Sequence, residues 1–247
     1  MRIEFSKLSL PGNRQDNQDR VDVLARGKSA LLIVVDGMGG HAEGAKAAEV
    51  TVATLKQCFA DEGEAVFDPQ GFLTISLALA HAKVVELGRG VAIDHKPRAT
   101  CAVCLVQDGG AYWAHVGDSR IYQLRDGNVR ERTRDHSHVE LLRREGVIGE
   151  REMRSHPMRN FVECCLGGDT PLPNMSVTAR KELAPGDVLL ACSDGLWAGL
   201  EDAEIAALSG PPQPLERALR VLAERAVARN HPYSDNTTVA ALRWLGD

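Results

Sequence analysis

Four aspartates fall where strand-like apolar runs begin or stop. Asp36-Gly37 follows Ala30 to Val35, Asp118 follows Ala111 to Val116, and Asp194-Gly195 follows Asp187 to Cys192. Asp235-Asn236 stands just before Thr237 to Trp244, and Asp19 closes the polar run from Arg14 and opens a further strand. Strand ends are firm platforms with exposed tips, so carboxylates far apart in the chain can meet there. Gathered carboxylates repel one another unless cations sit among them. Ligands that are all oxygen favour hard ions such as Mg²⁺, Mn²⁺ or Ca²⁺ over zinc. Glycine after two of the aspartates permits close backbone approach, and the Gly37 carbonyl is itself a candidate ligand. A single Asp-Gly pair is an ordinary turn signal, which is how Asp126-Gly127 reads. Four acidic sites, each beside an apolar run, point instead to a metal centre.

The elements that would hold these residues can be read from periodicity. Strands are expected at Ile3 to Leu10, Asp19 to Ala25 and Ala30 to Val35, the last aliphatic throughout, as in a strand buried on both faces. A helix follows with Ala48, Val52, Leu55 and Phe59 on one face. A second helix opens with Asp68 as N-cap and Pro69 behind it, with Phe72, Ile75, Leu79 and Ala82 as its apolar stripe. Strands at Thr100 to Gln107, Ala111 to Val116 and Ser119 to Leu124 are punctuated by hairpin-type turns at Asp108-Gly109-Gly110 and Asp126-Gly127-Asn128. His136 to Gly168 is polar and helix-leaning, with Gly146 as a helix stop. Strands at Val177 to Glu182 and Asp187 to Cys192, a helix at Leu215 to Ala228 and a strand at Thr237 to Trp244 close the chain. This order does not alternate as a parallel α/β fold would. It predicts two packed antiparallel sheets with helices on the outer faces, in one domain over 1–247.

Composition narrows the function classes. Of 247 residues, 44% are hydrophobic and 26% charged, which excludes disorder and fibrous repeats. The net charge of -5 offers no footprint for a nucleic-acid backbone. Ala30 to Val35 is the longest aliphatic run, too short to span a bilayer, so no membrane partner is expected. Met1 to Gly12 lacks the apolar core of a signal peptide. The six cysteines show no disulfide framework, and Cys101 and Cys104 lack a matching second pair for zinc. A reducing cytoplasm is the expected compartment.

The motifs also carry a resemblance. Arg14-x-x-Asn17-x-Asp19, Asp36-Gly37-Met38-Gly39-Gly40-His41, Gly117-Asp118-Ser119-Arg120, Thr133-Arg134-Asp135-His136-Ser137, His156-Pro157, Ser193-Asp194-Gly195-Leu196-Trp197 and Asp235-Asn236-Thr237-Thr238 occur in that order. The series resembles the PPM, or type 2C, family of metal-dependent serine/threonine protein phosphatases in its compact bacterial form. That resemblance implies an α+β, four-layer α-β-β-α sandwich and hydrolysis of phosphoserine and phosphothreonine by direct attack of a water shared by two metal ions. It implies that Asp36 bridges two Mg²⁺ or Mn²⁺ ions, that Gly37 offers its carbonyl to the second, and that Asp194 and Asp235 complete the first. Asp118, with Asp194, matches a third-ion site. Arg14 matches the residue that grips substrate phosphate, and Asp19 a carboxylate behind the ligands that orders bound water. His136 to Gly168 resembles the family's flap beside the site. Phosphoprotein substrates, a cognate serine/threonine kinase and a monomeric state are the partners so implied.

Two departures from the family pattern stand out. Gln18 replaces a frequent Glu, and Met38 occupies the place of a histidine proposed as general acid in eukaryotic members. Two other readings compete: an inactive phosphoprotein-binding relative, which would lack Asp36, Asp194 or Asp235, and a two-metal hydrolase of nucleotides or small phosphoesters. Aromatic residues at 4% leave little from which to build a base-stacking platform.

Overall fold

The computed structural model describes residues 1–38, 41–153, 155–211 and 213–246, without the side chains of residues 41 and 42. Gly39, Gly40 and the side chain of His41, part of one motif above, and Pro212 therefore lie outside the described residues. In chain order the strands before the first helix are β1 (Arg2–Leu10), β2 (Arg20–Arg26), β3 (Ser29–Val35) and β4 (Gly37–Met38). Helices α1 (His41–Asp61) and α2 (Pro69–Leu87) follow, then β5 (Arg98–Ala99), β6 (Cys101–Gln107), β7 (Gly110–Val116), β8 (Arg120–Arg125) and β9 (Asn128–Arg132). Next come α3 (His138–Arg144), α4 (Glu150–Met153), β10 (Leu166–Gly167), β11 (Ser176–Val177), β12 (Lys181–Glu182) and β13 (Val188–Cys192). The chain closes with α5 (Asp194–Trp197), α6 (Asp202–Ala206), α7 (Leu215–Asn230) and β14 (Thr237–Gly246).

Two antiparallel sheets form the centre. One runs β1-β14-β13-β8-β9, and the other β11-β7-β6-β3-β2 with β12 also on β7. Strand alternation divides the core into three apolar layers. In β3, Leu31, Ile33 and Val35 face α1 and α2, whereas Ala30, Leu32 and Val34 face the other sheet. In β13, Val188, Leu190 and Cys192 pack under α5 to α7, and Leu189 and Ala191 point between the sheets. The aliphatic runs are thus buried on both faces, and the layer order is α-β-β-α, as expected. Among the described residues no helix is long and apolar enough to cross a membrane.

Several local expectations are corrected. Helix α2 begins as predicted, with the Asp68 side chain accepting from Gly71 N–H at 3.0 Å. Its buried face, however, is Phe72, Leu73, Ser76, Leu77, Ala80, His81 and Val84, while Ile75 and Leu79 are exposed. A helix apolar all round carries no stripe from which to choose a face. The strand expected at 177–182 is split into β11 and β12, because Thr178 takes over the ladder to Trp113 with both its N–H and its hydroxyl. Strand β9 was unforeseen, being a charged edge strand without apolar alternation. The short α5 and α6 were also unforeseen, each too brief to show a helical period.

Candidate metal centre

Each of the four aspartates stands where a strand of a central sheet ends or is about to begin, and all four face one cavity. Asp36 ends β3, and its carbonyl accepts from Thr100 N–H at 2.8 Å. Gly37 and Met38 then pair with β5, which pairs with β10 in a separate three-stranded sheet. A Cβ on Gly37 would stand 2.1 Å from the Gly44 carbonyl oxygen, so only glycine lets α1 close onto this turn. Asp118 sits in the β7–β8 turn after Gly117, whose φ of +96° suits glycine. Asp194 opens α5, and a Cβ on Gly195 would stand 2.1 Å from the Asn236 carbonyl oxygen, which brings the Asp194 turn against the Asp235 loop.

These groups surround one cavity of about 480 Å³, lined by Arg14, Asp36, Gly37, Asp118, Asp194 and Asp235 together with Gln18, Met38 and the amide-rich 13–16 loop. Asn160 and Val162 add a wall from the 136–168 segment. Asp19 is buried and does not line the cavity; Ser193 Oγ donates to its Oδ2 at 2.7 Å, and its Oδ1 has no hydrogen-bond partner among the described residues. The Arg14 guanidinium donates to Asp235 Oδ2 at 2.7 Å, and the other Asp235 oxygen accepts from Asn236 N–H at 2.8 Å. Cys164 and Cys165 are not among the lining residues.

Asn236 escaped the sequence reading as a functional residue. Its side chain accepts from Gln18 N–H and donates to the Pro11 and Asp16 carbonyls, so it stitches the Arg14 loop to the start of β14. Ser193 does similar work, since its hydroxyl also accepts from Thr238 N–H. Both lie inside quoted motifs, but nothing in their local spacing says what they hold.

The electrostatics show what the cavity would accept. Burial, and then the charges of Asp19, Asp194, Asp118 and Asp235, hold the Asp36 carboxyl well above the usual carboxylate range. Asp194 is raised likewise, by burial and then by Asp118 and Asp235. Asp118 is pushed up to about 7 by burial and the Asp135 charge, and Asp19 to about 6 chiefly by burial. Carboxylates that bind protons this avidly are short of positive charge. Among the described residues no group of three or more His, Cys, Asp or Glu side chains is already drawn together closely enough to hold a metal ion; the four aspartates line the cavity wall. The all-oxygen donor set, the shared excess of negative charge and the unpaired Asp19 oxygen fit hard divalent ions.

The turn before Asp118 depends on a pair of neutral histidines. His115 and His136 stack with ring centroids 4.5 Å apart, and His136 Nδ1 accepts from Gly117 N–H at 3.3 Å. His136 Nε2 therefore carries the proton and lies 2.9 Å from Ser176 Oγ. Burial, and then His115, lower the His136 pKa to about 4, against a partial opposing pull from Asp135. The unfolded chain, with an ordinary histidine pKa near ~6.5, binds more protons than the fold between these values, so this contribution is complete above that range and is lost as pH falls toward 4. Thermal melts should show wild type losing more stability than His136→Asn between pH 7 and pH 4.5; parallel losses would contradict the assignment.

The fold and this cavity together define a metal-dependent phosphatase architecture, and comparison with known proteins agrees. The sequence profile described as protein phosphatase 2C matches residues 12–236. A putative protein phosphatase 2C-type from Streptococcus pyogenes is 32% identical over 95% of this chain and 94% of its own. The serine/threonine protein phosphatase PstP of Mycobacterium tuberculosis is 33% identical over 92% of this chain and 42% of its own length. The Streptococcus agalactiae serine/threonine phosphatase superposes with a TM-score of 0.87 at 32% identity, covering 99% of this chain and 100% of that one. The PstP catalytic domain in complex with two manganese ions gives 0.82 at 28% identity, covering 99% of each chain. The chain belongs to the protein phosphatase 2C family.

Proposed function

We propose that Asp36, Gly37, Asp194 and Asp235 hold two divalent ions, that Asp118 with Asp194 holds a third, and that Arg14 receives the substrate phosphate. The reaction is metal-dependent hydrolysis of phosphoserine and phosphothreonine in proteins, the activity of the family. Four carboxylates from four separate strand ends lining one cavity beside an arginine is the observation that carries the assignment. Bound ions would ready water as the nucleophile and offset phosphate charge. Arg14, with its planar fork of donors, orients the phosphoryl group and stabilises the charge that spreads over its equatorial oxygens. Asp19, through its unpaired oxygen, can order a water behind the ions. The 136–168 segment, through Asn160 and Val162, limits how a substrate backbone approaches.

Residues 1–247 would act as one catalytic unit and as a monomer, opposed by a serine/threonine kinase that installs the phosphate. Mg²⁺ and Mn²⁺ both suit the oxygen donors, and free cysteines throughout suit a reducing cytoplasm. The test compares turnover of a phosphothreonine peptide with that of nucleotides under saturating Mn²⁺, with and without EDTA. Fast, EDTA-sensitive turnover of the peptide alone is expected. Preference for nucleotides, or turnover untouched by EDTA, would refute the assignment. Cys165→Ser should leave the rate within about twofold, since burial raises that thiol and nothing places it at the phosphate.

A further inference from the structure

Asp118 and Asp194 come from different sheet positions, and one aromatic side chain ties them together. Trp197 ends the single turn of α5 that Asp194 begins, and its indole N–H donates to the Asp118 carbonyl at 3.0 Å. Arg120, two residues beyond Asp118, lies over the Trp197 ring with its guanidinium carbon 3.7 Å from the centroid. That guanidinium is held on its other side by a two-pronged pair with Asp135, at 2.8 and 2.7 Å. Both partners of this pair are almost fully enclosed, with side chains 10% and 7% exposed. Trp113 and Trp244 differ, since both are buried in the layer between the sheets. Only Trp197, of the three tryptophans, reaches a cavity residue.

We propose that Trp197, clamped by Arg120, is a positioning residue that sets the spacing of Asp118 against Asp194 and so tunes the ion these two carboxylates would share. The arrangement is a closed ring: Asp118 to Arg120 along the chain from the β7–β8 turn into β8, Arg120 onto the indole, the indole back through α5 to Asp194, and its N–H to the Asp118 carbonyl. A buried indole N–H requires an acceptor; here the acceptor is the carbonyl of Asp118 itself, and an almost fully enclosed guanidinium fixes the ring from its face. The ring makes α5 and the β7–β8 turn move as one piece, and supporting contacts of this kind change metal affinity about 10- to 100-fold when removed.

The proposal rests on the metal reading of Asp118, and Mn²⁺ calorimetry on the whole chain distinguishes the two. Trp197→Phe keeps the ring and removes the N–H. It should weaken the Asp118-dependent Mn²⁺ affinity about tenfold, with a far-UV spectrum like that of wild type. Adding it to Asp118→Asn should change the remaining affinities by less than about twofold, because residues acting through one another are not additive. Wild type and Asp118→Asn binding Mn²⁺ identically would remove the metal reading of Asp118 and the proposal with it. Asp118→Asn weakened but Trp197→Phe unchanged would overturn positioning alone, as would a full tenfold loss persisting in the double variant. Arg120→Lys, which keeps charge but loses the fork and flat stack, provides a second route should Trp197→Phe fail to fold. It should show a smaller loss of the same kind, and unchanged affinity there would count against the clamp.

Discussion

Asp36→Asn should lower turnover of a phosphothreonine peptide by on the order of 10³-fold while the protein melts at a higher temperature in EDTA. The first half follows from the assigned place of Asp36 between two ions. Losing that anchor forfeits several kcal/mol of transition-state stabilisation, and about 4 kcal/mol is three decades in rate. The second half follows from what the cavity costs the fold. Burial and four neighbouring carboxylates raise the Asp36 pKa well above the usual range. A group whose folded pKa is raised weakens the fold as pH climbs through that value. An amide of the same shape removes that cost, so at pH 8 the variant gains stability as it loses activity, a trade expected at strained functional sites. Simple misfolding would lower both quantities together. Full activity of Asp36→Asn at saturating Mn²⁺ would end the scheme.

Arg14→Ala should cost on the order of 10²-fold in kcat/KM, the usual loss when one donor to transition-state charge is removed, with no fall in Mn²⁺ affinity. Arg14 lies on the cavity rim with 59% of its side chain exposed, and its visible partner is Asp235 rather than any packed neighbour. Its removal therefore leaves the core untouched and frees Asp235 Oδ2, one of the proposed ligand oxygens. Arg14→Lys should recover only part of the loss, since an ammonium cannot present two parallel donors to a phosphate. Kinetics and calorimetry on the same preparations check both halves. A variant that lost Mn²⁺ affinity in step with activity would show Arg14 supporting the ions rather than the substrate.

The parts legible in the chain were those with a strong local period or a steric signature. Strand β3 declared itself because Ala30 to Val35 is aliphatic throughout, and its seven residues are all buried; the hairpin turns declared themselves through Asp108-Gly109 and Asp126-Gly127, where both aspartates adopt positive φ. The outward face of α2 was misread because apolar side chains surround that helix. The location of Asp36, Asp118, Asp194 and Asp235 at strand ends was readable, and the structure brings all four to one cavity with Arg14. The supports behind them were not readable. Asn236, Ser193, His136 and Trp197 act on residues 19 to more than 200 positions away, and no local pattern reports a partner at that separation.

From sequence alone came the order of the longer strands and helices, the all-oxygen character of the candidate ligands and the family resemblance, because these depend on residue type and short-range spacing. Tertiary structure alone decided that Gly37 and Gly195 must lack a side chain, that Asp19 keeps one buried oxygen unpaired among the described residues, and that the indole in the turn opened by Asp194 donates to the Asp118 carbonyl. Those facts arise where separate strands pack within a van der Waals radius of one another, and a distance between remote segments exists only once the chain has folded.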